Sequence, residues 1–109
     1  MSKAETAIQN RIWKAAARRG WTLFRNNVGV AVFPDSVVRY GLCPGSADLV
    51  GIRPVTITAD MVGTVVGQFV AVEVKTSRGN VSPEQKKWLE RMKELGAHVV
   101  VARKETDLE

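Results

Sequence analysis

Phe69-Val70-Ala71-Val72-Glu73-Val74-Lys75, followed by Ser82-Pro83-Glu84-Gln85 and later by Ala97-His98-Val99-Val100-Val101-Ala102, is the stretch whose reading decides the fold. The first run is apolar, rich in valine and ends at a charged turn, which predicts a buried strand. Ser82 in the N-cap position, Pro83 in the first turn and Gln85 at the capping-box position predict a helix, and Gly96 closes it after Leu95. A strand, helix and strand at this spacing place the two strands parallel through a right-handed crossover. Along the first strand side chains alternate, so Glu73 and Lys75 share one face and Val70, Val72 and Val74 the other. An interior strand rarely carries two charges unless they are paired or bind an ion. The tripeptide alone leaves both readings open.

Upstream, Ala4, Ile8, Ile12, Ala15 and Ala16 recur at helical spacing and predict a helix over 3–19, ended by Gly20. Strands are expected at 21–25 and 28–33, with Pro34-Asp35-Ser36 as a turn and 36–45 as loop. A strand over 48–52 follows. Val55-Thr56-Ile57 reads as a further strand and residues 58–62 as one helical turn capped by Thr58. Residues 76–81 form a basic, glycine-containing loop, and 103–109 a charged tail. The expectation is an α/β fold, a mixed β-sheet flanked by helices, in a single domain over 1–109.

No apolar run approaches the roughly 18 residues that span a bilayer, and residues 1–5 lack the apolar core of a signal peptide. One cysteine, Cys43, excludes an internal disulfide, and no Cys/His cluster could hold zinc. A cytoplasmic setting, in a bacterial or phage-infected cell, is expected. The net charge is +5. If Glu5, Asp48 and Glu73 are internal, the outer surface is more basic still, which suits a polyanionic partner such as nucleic acid.

Gly45-Ser46-Ala47-Asp48-Leu49-Val50-Gly51-Ile52 places an acid at the start of an apolar strand after a glycine turn. Carboxylates converging from neighbouring strands make an oxygen-rich site for a hard cation such as Mg²⁺. A lysine beside that ion supplies the third part of a phosphodiester-cleaving centre. Asp48, Glu73 and Lys75 thus resemble the PD-(D/E)XK nuclease core. With Glu5 in the first helix and Ser82-Pro83-Glu84-Gln85-Lys86-Lys87-Trp88 in order behind them, nearly the whole chain resembles the virus-type replication-repair nuclease (VRR-NUC) branch of that superfamily. The sequence departs from the superfamily pattern at Ala47, where proline is usual, a position that shapes the turn rather than the chemistry. Pro34-Asp35 is a literal Pro-Asp pair, but it reads as a turn.

The resemblance implies a restriction-endonuclease-like fold and a metal-dependent DNA endonuclease. It further implies action on branched DNA such as four-way junctions, by a homodimer. Asp48, Glu73, Glu5 and the carbonyl of Val74 would hold Mg²⁺ or Mn²⁺. A lysine ammonium is protonated near neutral pH, its ordinary pKa being about 10.4, so Lys75 would act electrostatically before it acts as a base. Gln85 would bind the attacking water or the phosphate. Glu5 and Gln85 each have a second reading as helix caps, through Ser2-Lys3-Ala4-Glu5 and Ser82-Pro83-Glu84-Gln85.

Arg78 and Asn80 in the loop after Lys75, Lys86 and Lys87 on the outer helix face, and Arg25 with Asn26 on a substrate-facing turn are candidates for DNA contact. Trp13, Trp21 and Trp88 read as core residues, and His98 as structural. The alternatives are a nuclease for flaps, nicks or single strands working with replication or repair partners, a non-catalytic DNA-binding module, and a metal-free domain in which Glu73 and Lys75 form an ion pair.

Overall fold

In a computed structural model, which describes residues 2–108, the order is α1 (Lys3–Arg18), β1 (Thr22–Arg25), β2 (Gly29–Phe33), β3 (Ser36–Tyr40), β4 (Leu49–Ile52), β5 (Val70–Val74), α2 (Pro83–Glu94) and β6 (His98–Ala102). Short 3₁₀ turns lie at Ala59–Met61 and Glu105–Leu108. The chain has an α/β fold with both antiparallel and parallel strand pairs. It divides into two compact units, one up to Arg53 and one from Pro54.

In the first unit α1 begins at Ser2, whose hydroxyl accepts the Glu5 amide, and the chain leaves the helix through Gly20 at φ +80°. β1 pairs antiparallel with β4, from Thr22↔Ile52 to Arg25↔Leu49. The Asn26 amide extends this ladder by one bond to the Asp48 carbonyl at 2.8 Å. α1 packs on β1, and the Trp13 indole donates to the Leu23 carbonyl at 3.0 Å. Ala16 and Ile52 are buried in this unit. At Gly51 the backbones approach so closely that a Cβ would run into the Thr22 carbonyl oxygen.

β2 and β3 form an antiparallel hairpin in the register Phe33↔Ser36, with Pro34-Asp35 as its turn. The loop expected over 36–45 is therefore strand in its first half. Ser36-Val37-Val38-Arg39-Tyr40 alternates poorly, but its β-branched and aromatic residues suit a ladder once the two-residue turn brings it back beside β2.

In the second unit β5 and β6 run parallel, Val70↔His98 to Val74↔Ala102, joined through α2 as the spacing predicts. The Ser82 hydroxyl accepts the Gln85 amide at 3.1 Å and the Gln85 side-chain oxygen accepts the Ser82 amide at 3.0 Å, a complete capping box. At the other end the Gly96 amide bonds Lys93 and the Ala97 amide bonds Met92 across a positive-φ glycine, the Schellman arrangement. Ala71, Leu89, Met92, Ala97 and Ala102 form the small core, with Met92 only 2 % exposed.

Four expectations differ here. Residues 55–57 form no strand, because a two-strand parallel sheet offers them no ladder within the unit. Residues 58–62 do turn, but the Thr58 hydroxyl bonds the Asp60 carboxylate rather than capping the backbone. β5 is buried on one side only: Ala71 is buried, whereas Val70, Val72 and Val74 are 54, 43 and 74 % exposed. The charged tail is drawn into a turn, since the Asp107 carboxylate accepts the Arg103 and Lys104 amides.

Gly51→Ala is expected to force β1 and β4 apart and to destabilise the chain by about 1–3 kcal/mol. Urea unfolding measures this. Wild-type stability in that variant would show that the close approach of the two backbones is not required.

Candidate functional site

α1 carries Glu5, Ile8, Gln9 and Ile12 along one side, and β4 is entered through Asp48 and Leu49. These six residues line a cavity of about 250 Å³ that is open to solvent. The structure thus brings Glu5 and Asp48 together. Both are exposed rather than internal, because the cavity they line is open. The inward stripe of α1 is also rotated from expectation: Gln9 and Ala16 are its buried residues, while Ile8 and Ile12 are about half exposed. The capping box expected at Glu5 is only half formed: the Ser2 hydroxyl accepts the Glu5 amide, whereas the Glu5 Oε1 accepts the Ser2 hydroxyl at 3.1 Å rather than a backbone amide.

Asp48 is held by its neighbours rather than by its own carboxylate. The Asn26 side chain is 8 % exposed and lies under the loop that leads to Asp48. Its Nδ2 donates to Ser46 Oγ and to the Ala47 carbonyl, both at 2.8 Å, and its Oδ1 accepts the Leu42 amide at 3.0 Å. Ser46 Oγ in turn donates to the Cys43 carbonyl at 2.7 Å. A substrate-facing Asn26 is therefore corrected: its amide is fully engaged in folding the loop over 42–47, where the many free backbone groups need partners. Adjacent Arg25 is exposed, with its guanidinium 5.6 Å from the Trp13 ring centroid.

In the second unit Glu73 is half-buried and lines a cavity of about 190 Å³ with Phe69, Ala71, Trp88 and Leu89. Trp88 is 41 % exposed, so it is not the core residue its spacing suggests. Lys75 follows Glu73 on the same side of the strand, half-buried, with its amide bonded to the Ala102 carbonyl at 3.0 Å. The Gln85 oxygen is committed to the capping box, which leaves its two Nε2 hydrogens as the donors it could offer a ligand. The loop after Lys75 is staked by Arg103, whose Nη1 donates to the Thr76 carbonyl at 2.6 Å and the Gly79 carbonyl at 2.7 Å. Arg78 and Asn80 project from that loop, both exposed, and Lys86 and Lys87 are exposed on α2.

Sequence reasoning passed over two residues of the first unit. Asn26 is one, in its role under the loop. Gln9 is the other: it is 8 % exposed and its Oε1 is buried with no hydrogen-bond partner among the described residues. The signal was present, since Gln9 lies one turn after Glu5 and about 40° from it around the helix. The two carboxylates are hard oxygen donors, the chemistry that Mg²⁺, Mn²⁺ or Ca²⁺ prefers. In the first unit no third acidic side chain joins Glu5 and Asp48 among the described residues.

Asn26→Ala is expected to destabilise the chain by about 1–3 kcal/mol, because the Leu42 amide and the Ala47 carbonyl lose their partner. Amide hydrogen exchange at Leu42 should accelerate in parallel. Unchanged exchange and stability would mean that Asn26 does not organise the loop.

The family model described as the VRR-NUC domain matches residues 3–105. No curated protein and no solved structure matches the chain.

Proposed function

Because the chain belongs to the VRR-NUC nuclease family, we propose that it is a Mg²⁺- or Mn²⁺-dependent endonuclease that cuts branched DNA, four-way junctions above all, as a homodimer. Membership in the family carries nuclease activity, a DNA substrate and the use of a divalent metal. The ion, the branched substrate and the dimer are the reading added here. What supports the metal-dependent reading is the open cavity that Glu5 and Asp48 line together.

The roles divide by side-chain chemistry. Glu5, Asp48, Glu73 and the carbonyl of Val74 are the proposed oxygen donors to the metal. When bound, a divalent ion polarises a phosphoryl oxygen and lowers the pKa of a coordinated water several units below about 15.7. Lys75 sets a positive charge two residues beyond Glu73, where it can stabilise charge developing on the phosphate. Gln85 can donate through Nε2 to the attacking water or to a phosphate oxygen while its Oε1 stays in the capping box. Arg78 and Asn80, on the loop that Arg103 holds, together with Lys86, Lys87 and Arg25, supply contacts to the DNA backbone.

Paired cuts across a four-way junction need two active centres, and one chain supplies one set of these residues. A twofold dimer answers that requirement. Val55, Ile57, Val62, Val65 and Val66 are all exposed, an apolar stretch of the kind a self-association surface uses. Among the described residues no helix is long and apolar enough to cross a membrane.

Cleavage of labelled four-way junction, flap, nicked duplex, linear duplex and single strand, with Mg²⁺, Mn²⁺ or EDTA, tests this directly. Symmetric paired cuts in the junction that require metal are expected. Lys75→Ala should lower the rate by about 10²–10³, with the melting temperature near wild type. Metal-dependent cutting confined to flaps or single strands would remove the junction assignment. Tight DNA binding without cleavage by the folded wild type would remove the catalytic one. Collapse of the fold in Glu73→Ala, with no cleavage by wild type, would point to a structural ion pair.

A further inference from the structure

The net charge of +5 is not spread evenly along the chain. Up to Arg53 eight Lys or Arg stand against three Asp or Glu, and from Pro54 eight stand against eight. The excess belongs wholly to the first unit, and α1 holds most of it in Lys3, Arg11, Lys14 and Arg18. At 3.6 residues per turn these four fall within an arc of about 80°. They form a row along 3, 7, 11, 14 and 18 in which only Ala7 is uncharged. All four are exposed, and none has an ion-pair partner among the described residues. Glu5, the one acid of α1, lies about 160° around the helix from the centre of the row.

A charged face that serves only solubility ordinarily mixes signs, so that neighbours attract. α2 does this: Glu84, Glu90 and Glu94 are interleaved with Lys86, Lys87, Arg91 and Lys93, and Arg91 Nη1 meets Glu94 Oε2 at 3.4 Å. On α1 Lys14 has Arg11 three residues before it and Arg18 four after, spacings at which like charges repel. Lys3 in the first turn also opposes the helix dipole. The row therefore weakens its own helix until an anion neutralises it. From residue 3 to residue 18 it is about 22 Å long at 1.5 Å per residue. Over that length one strand of a duplex presents about six phosphates, at about 3.4 Å of axis each.

We propose that the row of Lys3, Arg11, Lys14 and Arg18 is a docking surface for the backbone of duplex DNA, apart from the cavity at Glu5 and Asp48. None of the four lines that cavity. The inference takes DNA as the substrate from the family and needs neither the junction nor the dimer of the proposed function. Contacts of this kind hold and orient a duplex without reading its sequence. A lipid surface suits the row less well, because it asks for large apolar side chains beside the cations. Immediately beside this row stand Asn10 and Ala17 on one side and Ala4 and Ala15 on the other.

The test is binding of the full chain to a short fluorescent linear duplex, followed by anisotropy in EDTA over a series of salt concentrations. A variant carrying Arg11→Gln, Lys14→Gln and Arg18→Gln is expected to flatten the plot of log affinity against log salt by about 2.7, near 0.9 for each lost phosphate contact. It should melt at or above the wild-type temperature, since repulsion along the row is relieved. A second variant, with Arg91→Gln, Lys93→Gln and Lys104→Gln, removes the same formal charge from the second unit and is expected to change the slope by less than about one contact. Equal flattening in the two variants would overturn the proposal in favour of diffuse attraction, and an unchanged slope in the first would overturn it outright. Should the triple variant fail to fold, Lys14→Gln alone decides, with a flattening of about 0.9 expected and none overturning it. Phosphatidylserine vesicles that bind the wild type and release the first variant, with DNA binding unchanged, would give the row to a membrane surface and overturn the assignment. Because the probe is linear and uncut, a positive result stands even if four-way junctions are never cleaved. Failure of the wild type to bind the duplex would overturn it.

Discussion

The Asn26 carboxamide is where the first unit's chemistry meets its folding. Residues 42–47 contain Gly45 at φ +87° and no regular structure, so their backbone groups have no ladder to satisfy them. One side chain with two donors and an acceptor takes up two of these groups, the Leu42 amide and the Ala47 carbonyl, and bonds the Ser46 hydroxyl besides. The same residue's main chain starts the β1–β4 pairing on Asp48. Asp48 is therefore fixed from both sides in sequence: by the loop that precedes it and by the strand that follows. The carboxylate remains free for a ligand because the backbone carries the positioning.

The second unit uses a different device for the same end. Among the described residues β5 pairs with β6, and α2 packs on β6. The capping box at Ser82 and Gln85 and the Schellman turn at Gly96 satisfy amides and carbonyls that the helix cannot pair itself. Gln85 shows how one side chain can meet two demands. Its oxygen is spent on the cap, which leaves its two Nε2 hydrogens for the proposed contact with water or phosphate. Arg103 plays the complementary part, tying the loop after Lys75 to the end of β6 through two carbonyls.

Local rules were legible in the sequence wherever one segment carried its own signal. The β5–α2–β6 unit was readable because its caps, its glycine and its valine run lie within a few residues of each other. α1 was readable from its period and from Gly20. β3 was not, because Ser36–Tyr40 becomes a strand only when Pro34-Asp35 folds it against β2, a partner that propensity alone does not supply. Residues 55–57 failed in the opposite sense: strand-like residues with nothing to pair with. At the site, Glu5 and Asp48 were legible as acids in apolar settings, yet their exposure was not, since an open cavity and a closed core share the same sequence pattern. Gln9 was missed because a polar residue on a helix is ordinarily solvated. Only the unsatisfied oxygen distinguishes it.

Electrostatics explain why exposed acids suit this family's task better than internal ones. The chain carries a net charge of +5, so its field draws a polyanion towards it. Glu5 and Asp48 are a local exception, and two open carboxylates repel a phosphate. Under the proposed function, a divalent ion held there would reverse the sign at that point and make it attractive to a phosphodiester. Full burial of the two acids would make their charges expensive before any ion arrived and would shut out the DNA backbone afterwards. An open cavity instead leaves both carboxylates accessible to water and to whatever approaches from solvent.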